Sequence, residues 1–171
     1  DTLVVTTMSN IGLHAAAKEY GIDLAITDVG DRYVIEEMKK SGHNLGGEQS
    51  GHMIFLDYNT TGDGTLSSLI VSKIVKEEGK TLSEQSALMT TYPQVLINVE
   101  VRNEVKNKFM ENDEIRAEIE RLEKLMNGTG RVLIRPSGTQ PLVRVMLEGK
   151  DEGQIRELAQ GLADLIKEKL A

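Results

Sequence analysis

The sequence predicts an α/β protein in two units: a partial mixed-sheet α/β domain over residues 1–85, then a small α+β domain over residues 86–171. Three observations carry that reading. Strand-type runs alternate with helical stretches as far as Glu78, as in parallel or mixed sheets. The segment from Gly79 to Pro93 holds only a short helical stretch among polar residues and ends at a proline, so the domain junction belongs there. Beyond it the order becomes strand, helix, strand, strand, helix. No internal repeat or low-complexity tract interrupts either unit.

Each element has a local reason. Leu3 to Thr7 reads as a buried strand, and Asn10 is an N-cap for a helix through Ala15-Ala16-Ala17 that stops at Gly21. Leu24 to Thr27 is a second strand. Asp31 is expected to cap a helix whose apolar face holds Val34, Ile35 and Met38, with Gly42 ending it. After a glycine-rich loop, Met53 to Leu56 forms a strand. Asp63 then caps a longer helix carrying Leu66, Leu69, Ile70 and Ile74. In the second unit, Val95, Ile97, Val99 and Val101 alternate with Leu96, Asn98, Glu100 and Arg102, the pattern of a half-buried strand. Ile115, Ile119, Leu122 and Met126 line one face of a charged helix closed by Gly128. Two strands follow, and Asp151 caps a last helix with Ile155, Leu158, Leu162, Leu165 and Ile166 inward.

Composition narrows the function classes. Hydrophobic residues make up 39% and charged residues 27% of 171, a globular balance. The net charge of -7 argues against a broad nucleic-acid surface. No apolar run approaches the roughly 18 residues that cross a bilayer, and no signal-peptide pattern opens the chain, so no membrane partner and a cytoplasmic location are expected. With no cysteine, disulfides, thiol catalysis and thiolate zinc sites are excluded. Asp57 to Gly62 imitates the start of a calcium loop, but Ser68 stands where a bidentate glutamate is needed.

Two loops carry chemistry. Arg135-Pro136-Ser137-Gly138-Thr139-Gln140-Pro141 lies between the strand-type runs Val132–Ile134 and Leu142–Leu147. It gathers a guanidinium, two hydroxyls and the amides around a glycine. That set suits a phosphate dianion: arginine grips two oxygens, hydroxyls donate, and glycine lets the main chain come close. Arg144, in the following strand, can add a second cation. The other loop, Gly46-Gly47-Glu48-Gln49-Ser50-Gly51-His52, surrounds a carboxylate, a hydroxyl and an imidazole with three glycines. Glu48 can accept hydrogen bonds from two neighbouring sugar hydroxyls, while Ser50 and His52 can donate or accept. Either loop alone could be an idle turn. Together they suggest a phosphosugar site.

These motifs resemble the α-D-phosphohexomutase superfamily. Gly47 to His52 is similar to its sugar-binding loop and Arg135 to Pro141 to its phosphate-binding loop. Val4 to Leu13, Val29 to Val34 and Thr61 to Gly64 add to the resemblance, which runs in order along nearly the whole chain. Gln140 departs from it, standing where the superfamily usually has glutamate. The resemblance implies the third and fourth domains of such an enzyme, the third without its opening strand and helix and the fourth like the TATA-binding protein in fold. It implies interconversion of glucosamine 6-phosphate and glucosamine 1-phosphate through a phosphoserine and a 1,6-bisphosphate. That reaction would supply UDP-N-acetylglucosamine and cell-wall synthesis.

By the same resemblance, Glu48, Ser50, His52, Asp31 and Arg32 would bind the sugar, with His52 also a candidate for proton transfer. Arg135, Ser137, Gly138, Thr139 and Arg144 would bind phosphate. The superfamily's phosphoserine motif and its Asp-rich Mg2+ loop are not in these 171 residues. The nucleophile, the Mg2+ ligands and N-terminal domains 1 and 2 are therefore expected outside this chain, with no metal ligand within it. A homodimer is open for the whole enzyme. The alternatives are a mannose or glucose phosphate mutase of the same superfamily, or a non-catalytic phosphosugar-binding module.

Overall fold

The computed structural model describes residues 1–170, which divide into one unit over Asp1–Thr91 and a second from Tyr92 onward. The first unit runs β1 (Thr2–Thr6), α1 (Ile11–Glu19), β2 (Asp23–Thr27), α2 (Asp31–Ser41), β3 (Leu45–Gly47), β4 (Met53–Phe55), α3 (Gly64–Glu78) and α4 (Leu82–Ser86). Its strands form a mixed sheet in the order β2-β1-β3-β4. β1 pairs parallel with β2 and β3, while β3 and β4 form an antiparallel hairpin. The three parallel strands therefore end on one edge of the sheet, where ligand loops of α/β sheets gather.

Local signals account for most boundaries. Asn10 accepts from the Gly12 amide at 3.0 Å and Asp63 from the Leu66 amide at 3.0 Å, each capping its helix. Gly42 and Gly79 close α2 and α3 at φ of 74° and 66°. One expectation changes. Asp31 is the first residue of α2 rather than its cap; Gly30 occupies the cap with no side-chain bond, and the Asp31 carboxylate turns onto the Arg32 amide. A second difference is that Leu45–Gly47 is a strand. Backbone pairing of Gly46 and Gly47 with Val4 and Val5 makes it one, despite two residues of poor strand propensity. The buried cluster of this unit comprises Val4, Val34, Met38 and Ile54. A Cβ on Gly46 would meet Met38 Sδ at 2.6 Å and Val34 Cγ1 at 2.8 Å, so only glycine lets α2 lie this close. α3 has no fully buried residue; Leu69 and Ile74 on its apolar face stay exposed.

The second unit contains β5 (Gln94–Glu100), a short 3₁₀ turn at Phe109–Glu111, α5 (Asp113–Leu125), β6 (Gly130–Pro136), β7 (Leu142–Gly149) and α6 (Glu152–Leu170). Its sheet is antiparallel throughout, in the order β5-β7-β6. Asn112 caps α5 by accepting from the Glu114 and Ile115 amides. One continuous core joins Val95 and Val99 of β5, Val143, Val145 and Leu147 of β7, Ile115, Ile119 and Leu122 of α5, and Ile155, Leu162 and Ile166 of α6. Because strand side chains alternate, Arg144 and Glu148 of β7 and Arg131 and Arg135 of β6 lie on the sheet face away from this core. Glu148 is fully buried there; its carboxylate accepts from Arg131 Nε at 2.7 Å and Gln94 Nε2 at 3.0 Å, as a buried charge requires.

Candidate functional site

The two loops were singled out from sequence, and each has a built geometry. In the first unit, the Glu48 amide donates to the His52 carbonyl and the Gly51 amide to the Glu48 carbonyl, closing the β3–β4 turn with Gly51 at φ 91°. A Cβ on Gly47 would lie 2.8 Å from the His52 carbonyl oxygen, so the closure needs glycine there. Glu48 Oε1 accepts the Gly30 amide at 2.9 Å, which ties this loop to the start of α2. Asp31, the next residue, comes within reach of the loop: His52 Nδ1 lies 3.9 Å from Asp31 Oδ2, an ion pair whenever the imidazole is protonated. The imidazole also sits against Gly62, where an added Cβ would fall 2.1 Å from His52 Cδ2.

Glu48, His52 and Asp31 are thus brought together at the carboxyl edge of the sheet. Ser50 lies in the same turn, exposed at its tip. Arg32 is not brought to them. Its Nε donates to Glu36 Oε1 at 2.8 Å and its guanidinium lies 5.7 Å from the Tyr33 ring centre, both along the outside of α2. The Glu36 hydrogen bond holds the Arg32 pKa above its ordinary value. The sequence reading assigned Gly30 and Gly62 no role of their own. Gly62 stands in the Thr61-Gly62-Asp63-Gly64 run, but what a glycine makes room for is visible only once the chain is folded.

In the second unit, Arg135 and Arg144 are direct cross-strand partners on the β6–β7 ladder. Like charges in that position repel, and nothing in strand propensity asks for two arginines there. Arg144 Nε is buried and, among the described residues, has no hydrogen-bond partner. The connection between the strands is tightly closed. The Ser137 amide donates to the Leu142 carbonyl at 2.9 Å, and the buried Ser137 hydroxyl accepts the Gln140 amide at 3.2 Å. Gly138 and Thr139 stand exposed at the tip, and among the described residues neither amide donates to a protein acceptor. Gly138 has no positive φ, and a Cβ there would meet nothing within 4 Å. Neither backbone conformation nor crowding explains the glycine; open space for a ligand would.

Lys106 was missed from sequence. It lies thirty-one residues before Ser137, yet its ammonium donates to the Ser137 carbonyl at 2.8 Å and the Gln140 carbonyl at 3.3 Å. Among the described residues no group of three or more His, Asp or Glu side chains is placed to hold a metal ion. Among the described residues no helix is long and apolar enough to cross a membrane.

Comparison with known proteins finds relatives for both units. The family model described as phosphoglucomutase/phosphomannomutase, alpha/beta/alpha domain III, matches residues 1–92, and that of the C-terminal domain matches residues 96–165. The chain is 69% identical over 171 residues to the phosphoglucosamine mutase of Clostridioides difficile (strain 630), covering all of this chain and 38% of that protein. It is 62% identical over 170 residues to the phosphoglucosamine mutase of Thermoanaerobacter sp. (strain X514), covering 99% of this chain and 38% of that protein. The chain therefore spans somewhat over a third of the length of these relatives. Among solved structures it is similar to Aspergillus fumigatus N-acetylphosphoglucosamine mutase in complex with GlcNAc-6P and magnesium. The TM-score is 0.82 at 21% identity, over 99% of this chain and 39% of that one, a likeness of fold. The chain belongs to the phosphoglucomutase/phosphomannomutase family and carries its α/β/α domain III and its C-terminal domain.

Proposed function

We propose that this chain is the sugar- and phosphate-binding portion of a phosphoglucosamine mutase, an isomerase interconverting glucosamine 6-phosphate and glucosamine 1-phosphate. The observation that carries the phosphate half is the opposed pair Arg135 and Arg144 beneath a loop with two undonated amides. Cations at paired positions of neighbouring strands repel one another, and a dianion between them would offset that repulsion. Relatives 69% and 62% identical that are named phosphoglucosamine mutases favour an amino sugar as the substrate.

In this reading Arg135, Arg144, the Ser137 and Thr139 hydroxyls and the Gly138 amide hold the phosphate that is not being transferred. The rigidity of the loop keeps those donors in place before the ligand arrives. Glu48 and Ser50 take adjacent ring hydroxyls. The Gly30 amide occupies one carboxylate oxygen of Glu48 and so fixes its plane. His52, seated on Gly62 and facing Asp31, is the group best placed to move a proton at the reacting hydroxyl. Arg32 would approach the sugar by leaving Glu36, an exposed pair of small worth. The nucleophilic serine and the Mg2+ ligands are proposed to lie on other domains of the whole enzyme; among the described residues no group of three or more acidic or histidine side chains is placed to hold a metal. The proposed place of action is the cytoplasm.

The test uses the longer polypeptide that contains this chain, assayed for isomerisation of glucosamine, glucose and mannose 6-phosphates. Turnover highest on the glucosamine compound is expected. Preference for glucose or mannose phosphate would move the protein to a different mutase of the family. The 171-residue chain alone is expected to bind sugar phosphate without turnover, because phosphoryl transfer needs the nucleophile and the charge-neutralising metal.

A further inference from the structure

We infer that Lys106 is a positioning residue of the phosphate loop, setting the direction of the Gly138 amide by holding the Ser137 carbonyl from behind. The inference rests on the phosphate-site reading above and adds to it a residue outside the loop. Three observations support it. The Lys106 ammonium donates to both the Ser137 and Gln140 carbonyls, bracketing the loop tip. The peptide unit is planar and trans, so the Ser137 C=O and the Gly138 N–H point in opposite directions. Fixing the carbonyl toward Lys106 therefore fixes the Gly138 N–H away from it, and among the described residues that amide has no acceptor.

Lys106 is itself anchored. Its amide and that of Val105 both donate to the Arg102 carbonyl, and the Val105 side chain packs on the core of the second unit. Pro141 supplies no N–H, so the Gln140 carbonyl is not paired with an opposed donor of its own peptide unit. Instead that oxygen receives both the Leu142 amide and Lys106, which pins the exit of the loop while the Ser137 oxygen pins its entry. A cation bridging two carbonyls also draws their partial negative charge away from the incoming phosphate. Lys106 is no catalytic residue by this account; it acts through the loop.

The experiment is a titration of the isotopically labelled 171-residue chain with inorganic phosphate, followed through backbone amide and carbonyl resonances. In the wild type, the Gly138 and Thr139 amides are expected to move on phosphate addition. Lys106→Met should shift the free-state carbonyl resonances of Ser137 and Gln140 and weaken phosphate binding by about fivefold or more. Lys106→Arg, which keeps a multi-donor cation, should recover most of that loss. Lys108→Met removes the same charge from an exposed neighbour and should change affinity less than about twofold. Unchanged exchange of the β7 amides in each variant would show that the fold is intact. If Lys106→Met binds phosphate like the wild type, or no more weakly than Lys108→Met, the inference is overturned. Wild-type Gly138 and Thr139 amides that ignore phosphate would instead overturn the phosphate-site reading. In that event unshifted Ser137 and Gln140 carbonyls in Lys106→Met would separately reject the clamp.

Discussion

The two loops sit on frames of unequal strength. The phosphate loop joins strands of seven and eight residues whose inner faces belong to a core running through β5, β7, α5 and α6. The Glu48 loop joins two strands of three residues, on a unit whose buried cluster is Val4, Val34, Met38 and Ile54. Its stiffness comes from elsewhere: one carboxylate–amide bond to Gly30 and two glycines that permit close approach. In the proposed function, the loop that grips an anion is braced by its own strands, while the loop that would meet sugar hydroxyls rests on a few polar ties that can yield. Hydrogen exchange should show this directly, with β5–β7 amides slower than those of β3 and β4.

The largest expected effect strikes the stronger frame. Leu162 is fully buried in the core beneath β7, so Leu162→Ala should cost about 3 kcal/mol in urea unfolding. A cost below about 1 kcal/mol would mean that this core does not brace the phosphate loop.

Next comes the phosphate contact. In the whole enzyme, Arg135→Ala should lower kcat/KM by about 2 kcal/mol of transition-state stabilisation, near thirtyfold, with lysine rescuing only part. An unchanged specificity constant would sink the assignment of that loop.

A pair of glycines sharpens the contrast further. Gly46→Ala pushes a methyl into Met38 and Val34 and should destabilise the first unit by about 1–2 kcal/mol. Gly138→Ala has open space and an ordinary φ, so stability should stay within about 0.5 kcal/mol while phosphate affinity falls. Calorimetry on both variants, with phosphate titrations on the second, would check the pair. A destabilised Gly138→Ala would show that its glycine serves the fold.

The smallest effect is a pH dependence. Arg121 hydrogen-bonds both oxygens of Glu118 on α5, holding the carboxyl below its usual 4.5. A lowered folded-state pKa adds stability that is complete above the unfolded value and fades as pH falls through the folded one. Glu118→Gln should therefore cost a few tenths of a kcal/mol at pH 7 and nothing once both forms are protonated. Equal cost at pH 7 and well below 4 would refute the charge account.

Helix positions, their caps at Asn10 and Asp63, the stops at Gly42 and Gly79 and both polar loops were legible in the sequence. Those features depend on neighbours a few residues apart, where periodicity and cap chemistry act. The site's details were not. Glu48 reaches Gly30, His52 rests on Gly62, Arg135 faces Arg144, and Lys106 holds a loop thirty-one residues away. Each depends on strand register or on which backbone carbonyl a chain reversal leaves within reach. Arg32 shows the reverse case: the family resemblance implied a sugar contact, while one turn of helix places its guanidinium on Glu36. Short-range chemistry in the chain determined the elements and where its polar loops fall. Only long-range pairing, which trades chain entropy for contacts between distant residues, decided which groups meet.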